Sequence, residues 1–275
     1  MKPEAGDRSV QVRSADVCKG FRDVGAKPGD VLMYHGSLSS MGTVIGGPDT
    51  VIKGARLAVG REGTVAMPSL WYHDADPPLD PADWDIHTSE SYVGALSEAF
   101  RGHPDSVRSD NFSHAVSAIG ARARELVANH GEGGERHSPW GPKAFADVSP
   151  WARLVEWNAL YCFIGVTFRV LTLKHYMEAL ILQEVMETFP EDNRETAAQA
   201  ISRIGKPGIW PFFNSETMEQ KLAEKGLVAY AKIGSATIRA GRTQDLMEHG
   251  MPLLRESPEE WFSKEFMAWW EKWRR

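Results

Sequence analysis

The sequence predicts an α/β fold with three layers (αβα), in which helices cover both faces of a central mixed, mainly parallel sheet. Residues 31–68 show a strand, a Gly/Ser loop, a helix and a second strand, and the strands of such units normally pair in parallel. Alternating strand and helix patterns continue to about residue 181. Two β-rich runs flank Gly234 and predict a small C-terminal hairpin, with a helical region after it.

Apolar runs and the capping or turn residues beside them locate the elements in order. We expect strands at residues 31–35, 64–70, 115–119 and 161–166, and helices at residues 10–24, 48–59, 92–101, 121–130, 151–157 and from 173 onward. Residues 71–90 contain many Asp and Pro residues, which neither a helix nor a central strand tolerates. We therefore predict a long surface loop there, and a second loop at 131–150.

The C-terminal segment 257–275 is predicted to form one helix. Ser257 is the expected N-cap, Pro258 suits the first helical position, and Glu260 completes a capping box. The four tryptophans of this segment could form a membrane-surface face, because basic residues follow them. Packing of the aromatic face against the domain is the favoured interpretation, with the basic residues at the negative end of the helix dipole.

Composition excludes several classes of protein. The 275 residues include 31 basic and 37 acidic side chains, which gives a net charge of −6. With 42% hydrophobic and 25% charged residues, the chain is typical of a folded globular protein. The acidic balance argues against a nucleic-acid partner, because duplex binding needs clustered Lys and Arg. It is compatible with a cationic or neutral small substrate.

Cysteine content and the N-terminal residues point to the cytoplasm. Cys18 and Cys162 are too few for a disulfide framework, and we expect both to be reduced. The first 20 residues contain no apolar core of a signal peptide, and no apolar run is long enough to span a bilayer. We expect a cytoplasmic protein without a membrane partner, either a monomer or a homodimer.

Four stretches within residues 30 to 180 follow one another at a characteristic spacing. They are VLMYHGSLSSMGTVIGGPDTVI with EGTVAMPS, SYVGALSEAFRGHPDSVRSDNFSHAVSAIG, DVSPWARLVE and TLKHYMEA. With the closing segment KGLVAYAKIGSATIRAGRTQDLMEHGMPLLRESP, they resemble the aminoglycoside 3-N-acetyltransferase family. The resemblance implies an antibiotic-resistance acyltransferase that moves an acetyl group from acetyl-CoA to the amine of an aminoglycoside or related amino sugar. It also implies a single acyltransferase domain over 1–275.

The sequence departs from the family pattern in four places. Gly36 stands where the family usually has a serine, and Asn111 with Phe112 replaces its usual His-Pro. Residues 142–148 lengthen one segment, and 187–215 form a variable, helical insertion without a match. These differences fall beside the expected acceptor pocket, so they affect the identity of the acceptor substrate more than the acyl-transfer reaction.

The resemblance implies three catalytic residues. His114 is the expected base, because a histidine with an ordinary pKa near ~6.5 can accept a proton at neutral pH. On residue type alone, a lone histidine is more often a buried structural residue. A carboxylate would hold the imidazole and stabilise its charged form, and Asp147 and Glu178 are both candidates. His175 and Glu178 are three residues apart, so a helix would bring them to one face.

The same resemblance, together with residue chemistry, indicates the two substrate sites. The Gly/Ser loop after the first strand offers amides and hydroxyls to coenzyme A, and Arg108 could bind its phosphates in bidentate fashion. An acidic loop from Asp74 to Asp85 could attract a polyamine sugar. The expected coenzyme A ligands are Ser37, Leu38, Ser39, Arg108, Ser109 and Thr172. The expected acceptor ligands are His73, Asp74, Glu90 and His175.

Three alternatives remain open. The enzyme could acylate a sugar nucleotide or another amine-bearing metabolite in biosynthesis. It could instead bind coenzyme A without turnover. A metal-dependent hydrolase is the alternative from another class, and its ligands would come from an N/O set that zinc accepts. That set is His35, His73, Asp74, His114, His175 and Glu178. The transferase hypothesis needs acetyl-CoA as co-substrate and no metal.

Overall fold

A computed structural model describes residues 2–73, 79–201 and 209–275. Its main sheet contains seven strands, and a two-stranded ribbon lies beside it. In chain order the strands are β1 (Gln11–Val12), β2 (Val31–Gly36), β3 (Thr43–Val44), β4 (Thr64–Pro68), β5 (Val107–Arg108), β6 (Val116–Gly120), β7 (Leu160–Ile164), β8 (Ala229–Ile233) and β9 (Ala236–Arg242). The ribbon is β1 with β3, and the main sheet has the order β5-β6-β4-β2-β7-β9-β8.

Parallel pairing occupies the centre of the main sheet. Met33 of β2 lies between Ala66 of β4 and Tyr161 of β7, and all three strands are parallel. The remaining pairings are antiparallel, with β6 and β5 on one side and β9 and β8 on the other. The mixed sheet and the hairpin around Gly234 are therefore confirmed. The expectation of a mainly parallel sheet is wrong, because the parallel pairings of the main sheet are confined to its three central strands.

Helices follow most of the strands, as an α/β chain requires. They are α1 (Ser14–Asp23), α2 (Pro48–Val59), α3 (Ala95–Arg101), α4 (Ala123–Val127), α5 (Pro150–Glu156), α6 (Leu173–Glu187), α7 (Glu191–Gln199), α8 (Ser215–Glu224), α9 (Thr243–Asp245), α10 (Met251–Glu256), α11 (Pro258–Trp261) and α12 (Lys264–Trp273). Short 3-10 turns lie at Leu38–Met41, Pro81–Asp83 and Phe168–Val170, and a π-helical turn, Leu246–Gly250, joins α9 to α10.

Two hydrophobic cores, one on each face of the sheet, give the three predicted layers. Alternate residues of a strand point to opposite faces. Accordingly, Leu32 and Tyr34 of β2 enter the core formed with α1, α2 and α3, whereas Val31 and Met33 enter the core formed with α5, α6, α8 and α12. Cys162 is buried within β7, and both cysteines are free.

The prediction of one helix over 257–275 is wrong. The Ser257 side chain makes no capping hydrogen bond, and a short α11 ends at Trp261. Ser263 then caps a new helix, because its hydroxyl accepts a hydrogen bond from the Phe266 amide. Such caps stabilise a helix by about 1 kcal/mol. The aromatic face does pack on the domain: buried Trp269 donates its indole N–H to the carbonyl of Ala197.

Three histidines, His35, His114 and His175, lie at one edge of the main sheet. The parallel strands β4, β2 and β7 all end at this edge, and β6, which is antiparallel to β4, begins there. His114 lies two residues before β6, His35 lies at the end of β2, and His175 lies in the first turn of α6. Ligand sites of open α/β sheets form outside the carboxyl ends of the parallel strands. Within the described ranges, no helix is long and apolar enough to cross a membrane.

Candidate active site

His114 lies in an aromatic enclosure and is only 5% exposed. The ring of Phe145 is closest, with 4.6 Å between ring centroids, followed by Trp140 at 5.1 Å and Trp151 at 6.5 Å. The imidazole of His175 lies 5.8 Å away and almost perpendicular to it. This arrangement leaves the His114 imidazole with little water around it.

The backbone that carries His114 is fixed by one amide side chain. The Asn111 oxygen accepts hydrogen bonds from the Ser113 amide, the Ser113 hydroxyl and the His114 amide, the last at 2.7 Å. The Trp151 indole N–H donates to the His114 carbonyl at 3.0 Å. Asn side chains stabilise turns of this kind by accepting from amides two and three residues ahead. Asn111 therefore positions His114 by its side chain.

The His114 imidazole has an unusual electrostatic state. Burial, and then the neighbouring charges of His175 and His130, lower its pKa well below the ordinary value. The ring is thus neutral at physiological pH. Its Nδ1 atom is buried and has no hydrogen-bond partner among the described residues. Buried polar atoms are almost always paired, so an unpaired one at the end of parallel strands indicates a functional position.

His175 is held by a buried carboxylate. Glu178 is 0% exposed, and its Oε2 accepts hydrogen bonds from His175 Nδ1 at 2.6 Å and from the Trp210 indole at 2.7 Å. The Phe213 amide donates to Oε1 at 3.2 Å. Because Nδ1 carries the proton that is donated to Glu178, the neutral ring keeps its lone pair on Nε2. The predicted contact between His175 and Glu178 is present.

Neither predicted carboxylate is bonded to His114. Glu178 is bonded to His175, and Asp147 forms an ion pair with Arg136. The Asp147 side chain is 62% exposed, whereas that of Arg136 is buried. The expectation that Asp147 holds His114 is wrong in this structure, because Asp147 forms its ion pair with Arg136 instead. His175 takes the place beside the carboxylate that we assigned to His114.

A second buried histidine was missed in the sequence. His130 Nε2 donates to the Ala144 carbonyl at 3.1 Å, so its Nδ1 accepts from the Ser109 hydroxyl at 3.0 Å. Burial lowers the pKa of His130 to about 4. No motif surrounds His130 in the sequence. Its partners, Ser109 and Ala144, lie 21 and 14 residues away along the chain.

A groove with a volume of about 1040 Å³ runs along the end of β2. Three predicted coenzyme A ligands, Ser37, Leu38 and Ser39, line one side, and residues of the segment from Tyr92 to Leu96 line another. Residues Pro3 and Arg8 of the N-terminal segment close a third side. The structure thus places the Gly/Ser loop in a groove large enough for an elongated ligand.

Polar contacts connect this groove to His175. His35 lines the groove, and its Nε2 lies 2.8 Å from the Tyr161 hydroxyl. Burial lowers the pKa of His35 to about 3 and raises the pKa of Tyr161, and hydrogen bonds from Thr172 partly offset the rise at Tyr161. Thr172 precedes α6, and the His175 amide donates to its carbonyl at 3.0 Å. Thr172 thus contacts both Tyr161, the partner of His35, and His175, and its role as a coenzyme A ligand stays a prediction.

Arg108 and Ser109 differ from their predicted roles as phosphate ligands. The Arg108 guanidinium donates to the carbonyls of Ser69 and Ser89 and lies 4.3 Å from the centre of the Trp84 ring. Burial lowers the pKa of Arg108 to about 10. The Ser109 hydroxyl is fully buried between His130 and the Val116 amide. Both residues are occupied by contacts within the protein, so bidentate binding of phosphate by Arg108 is not supported.

The predicted acceptor residues are dispersed. His73 packs against Tyr92, a groove residue, with 4.8 Å between ring centroids. Glu90 is exposed, and Asp74 lies outside the described residues. Within the acidic loop, Asp80 and Asp85 accept hydrogen bonds from backbone amides of their own loop. Of the three that the structure describes, only His175 lies beside His114.

The ligand set that motivated a hydrolase does not assemble. In residues 2–73, 79–201 and 209–275, no group of three or more His, Cys, Asp or Glu side chains is arranged to hold a metal ion. His35, His73 and His175 instead contact Tyr161, Tyr92 and Glu178, respectively.

Comparison with known proteins decides the family. The family model described as aminoglycoside 3-N-acetyltransferase matches residues 33–255. The chain belongs to this family. The aminoglycoside 3-N-acetyltransferases include aminoglycoside N(3)-acetyltransferase VII of Streptomyces paromomycinus, which is 28% identical over 85% of this chain and 88% of its own. Aminoglycoside N(3)-acetyltransferase VIII of Streptomyces fradiae is 35% identical over 79% of this chain and 78% of its own. The chain is thus an acyltransferase by family.

Solved structures of family members share the fold. Aminoglycoside acetyltransferase AAC(3)-IVa superposes with a TM-score of 0.68 at 22% identity, covering 90% of each chain. AAC-IIIb, solved as a binary complex with CoASH, gives a TM-score of 0.67 at 19% identity over 92% of this chain and 98% of its own. A histidine-to-alanine variant of AAC(3)-IVa in complex with apramycin gives a TM-score of 0.66 at 23% identity over 90% of this chain and 94% of its own.

Two departures from the family pattern have local explanations. A Cβ atom at Gly36 would lie 3.2 Å from Leu96 and 3.4 Å from Ile164, so the packing of α3 against β7 leaves little space for the usual serine. Asn111 replaces a family histidine and supplies the turn that fixes His114. Trp210 and Phe213, which bind Glu178, belong to the unmatched segment 187–215. That segment is partly helical, and residues 202–208 lie outside the described ranges.

Proposed function

We propose that this acyltransferase moves the acetyl group of acetyl-CoA to an amine of an aminoglycoside or a related amino sugar. The names of its relatives support this activity. The observation that carries the proposal is His114, a buried neutral imidazole with an unpartnered Nδ1, at the carboxyl-end edge of the parallel strands. We also propose that residues 1–275 act as one cytoplasmic acyltransferase domain, as a monomer or homodimer.

The groove along Ser37–Ser39 fits the co-substrate by its shape and position. Acetyl-CoA supplies an activated acyl group there, and the walls of the groove hold the elongated donor in one orientation. The groove volume of about 1040 Å³ accommodates such a donor. Holding donor and acceptor together removes the entropic cost of their encounter from the chemical step. Arg108 has no direct part in this proposal.

His114 acts as the base of the proposed reaction. Its neutral imidazole accepts the proton that the attacking amine loses, and a positioned base of this kind accelerates such reactions by roughly 10²–10⁴-fold. The charged imidazolium is costly in the aromatic enclosure of Phe145 and Trp151. As the C–N bond forms and the C–S bond of the thioester breaks, the imidazolium gives this proton to the departing thiolate, which leaves as the free thiol of coenzyme A.

The pair of His175 and Glu178 sets the charge balance beside this base. Glu178 is fully buried, and its ionised form compensates a proton on either imidazole, which lie 5.8 Å apart. The bond from His175 Nδ1 to Glu178 directs the other imidazole nitrogen away from the carboxylate. His175 is therefore ready to bind the acceptor amine, as the sequence predicted, with Glu178 as its positioning residue.

Aromatic side chains form the surroundings in which an acceptor would bind. Trp140 lies 4.4 Å from His175 by ring centroids, and Phe212, which is 39% exposed, lies 6.0 Å from it. The faces of aromatic rings attract cationic groups. Lys174 already lies 5.6 Å from the centre of the Phe212 ring, so Trp140 is the ring that favours a protonated amino group of the acceptor while another amine reacts.

The test is acetyl transfer by the purified chain. We expect release of free thiol from acetyl-CoA that depends on an aminoglycoside, together with the mass gain of one acetyl group on the acceptor. A panel of aminoglycosides, amino sugars and sugar nucleotides distinguishes antibiotic modification from biosynthetic acylation. Thermal unfolding with acetyl-CoA alone gives an independent measure, because a ligand that binds the native state raises its stability. Failure to bind acetyl-CoA and to acylate any amine would reject the proposal.

A further inference from the structure

The N-terminal segment 3–12, here called the N-terminal strap, precedes the part of the chain that the family model matches. The strap nevertheless forms one side of the groove, through Pro3 and Arg8. Its position is determined by contacts at both ends. The Glu4 amide donates to the Gly165 carbonyl at 2.9 Å, and β1 pairs with β3, which immediately follows the Gly/Ser loop.

Further contacts tie the strap to distant parts of the chain. The Glu4 carboxylate accepts from the Thr237 amide at 2.8 Å and pairs with Arg239 of β9 at 3.1 Å. The Asp7 amide donates to the Ser235 hydroxyl at 3.0 Å. A Cβ atom at Gly6 would lie 1.9 Å from the Ser39 carbonyl oxygen, so glycine is required for this close approach to the Gly/Ser loop. The strap is therefore a fixed wall of the groove.

Arg8 is the charged residue of this wall. Its carbonyl accepts a hydrogen bond from the Thr43 hydroxyl at 2.7 Å, which fixes the backbone. Its guanidinium forms no ion pair or hydrogen bond with any residue in the described part of the chain. The other described lining residues are uncharged at neutral pH, since burial keeps His35 neutral. An arginine with free donors is suited to binding phosphate in bidentate fashion.

We propose that Arg8 binds a phosphate group of acyl-CoA and that the N-terminal strap is part of the co-substrate site. This inference rests on the proposed function, since it concerns the donor of that reaction. Arg8 supplies the positive charge that we expected from Arg108, whose two terminal guanidinium nitrogens are bonded to backbone carbonyls. Substrate selection follows from it: the enzyme favours donors that carry phosphate over donors that carry only the pantetheine thioester.

The experiment compares Arg8→Gln with Arg61→Gln in the full chain. Arg61 is exposed and lines a different groove, near the end of α2, so its substitution makes the same change in net charge away from the proposed site. Binding of acetyl-CoA, acetyl-dephospho-CoA and acetylpantetheine is measured by calorimetry, with KM and kcat for acetyl-CoA beside it. We expect Arg8→Gln to weaken acetyl-CoA binding roughly three- to tenfold with little change in kcat.

The donor series identifies the phosphate. Acetylpantetheine should bind both variants and the wild type equally, and Arg8→Lys should recover part of the affinity for acetyl-CoA. If Arg8→Gln also weakens binding of acetyl-dephospho-CoA, Arg8 contacts the diphosphate of the donor. If the loss of affinity is seen with acetyl-CoA but not with acetyl-dephospho-CoA, Arg8 contacts the 3′-phosphate. Equal affinities of Arg8→Gln and Arg61→Gln for acetyl-CoA would overturn this inference alone. Absence of acetyl-CoA binding by the wild-type chain would overturn the proposed function as well.

Discussion

His114 and His130 are both buried histidines, yet their surroundings differ in one decisive respect. Both have a lowered pKa, chiefly because burial disfavours the charged ring. Both nitrogens of His130 are paired, one with Ser109 and the other with the carbonyl of Ala144. His114 has an Nδ1 without a partner. Burial and a shifted pKa are thus common to both histidines, and the unpaired nitrogen is what separates the proposed base from His130.

The neighbourhoods of the two histidines show the same contrast. Contacts of His130 join the residues before β6 to the loop after α4, so it stabilises a connection between elements. The His114 ring contacts the rings of Trp140 and Phe145 and the imidazole of His175. These contacts restrict the position of the His114 ring, but they are not hydrogen bonds to its nitrogens. We therefore expect substitutions at His130 to change stability and substitutions at His114 to change catalysis.

The largest expected effect is that of His114→Ala on catalysis. Because this variant lacks the proposed base, kcat should fall by roughly 10²–10⁴-fold. His130→Ala should keep most of kcat but lose about 1–3 kcal/mol in free energy of unfolding, because it removes the acceptor of the buried Ser109 hydroxyl proton and the imidazole donor to the Ala144 carbonyl. Steady-state kinetics and urea unfolding of both variants check this. A loss of kcat in His130→Ala as large as that in His114→Ala would remove the distinction.

His175→Gln completes that experiment, because it separates the two imidazoles of the site. If His175→Gln abolishes transfer while His114→Ala retains it, His175 is the base and our assignment is reversed. The expected result is a higher KM for the acceptor, since His175 is proposed to bind the amine.

The next effect concerns the two predicted carboxylates. Glu178→Gln keeps the size of the side chain but removes the buried charge beside His175, and kcat should fall roughly 10- to 1000-fold. Asp147→Asn is the matched control, because the Asp147 carboxylate is 62% exposed and is paired with Arg136, not with His114. That control should change kcat by less than about twofold and stability by less than about 1 kcal/mol. Equal losses of kcat would restore Asp147 as a catalytic candidate.

The smallest effect is on the pH dependence of stability. The pKa of His130 is about 4 in the folded protein and near ~6.5 in the unfolded chain. Between these values the unfolded state binds the proton and the folded state does not, so stability falls as pH decreases from 6.5 towards 4. For one such histidine, the free energy of unfolding falls by about 1 kcal/mol for each pH unit of decrease in this range. Above this range the histidine has no effect on the pH dependence of stability. His35 and His114 act in the same direction.

His130→Gln should show a flatter decline of the free energy of unfolding over that range, because one of the three histidines no longer titrates. Urea unfolding of the wild type and the variant at several pH values from 7 to about 4 provides the comparison. Parallel curves for the two proteins would mean that His130 titrates normally in the folded state.

Sequence reasoning located the site where the motif residues are close along the chain. The contact between His175 and Glu178 follows from a three-residue spacing on α6, and the groove position of Ser37–Ser39 follows from the loop after a parallel strand. The alternating pattern also predicted the central strands. Such features depend on local periodicity, which a single sequence displays directly.

The missed features depend on contacts between distant residues. Trp210 binds Glu178 from 32 residues away, in a segment where the sequence showed no family motif. Arg108 is occupied by the carbonyls of Ser69 and Ser89, and nothing in its own neighbourhood indicates that these fold back over it. At the C-terminus, Ser257 and Ser263 both carry cap signals, and tertiary packing selected the second.

The N-terminal strap affects when the groove forms during folding and where the protein can be labelled. Glu4 and Arg239 are 235 residues apart, so this wall closes only after almost the whole chain has been synthesised. Contacts of such long range form late in folding, because closing large loops costs chain entropy. A label or cross-linker attached near Pro3 would therefore report directly on the groove.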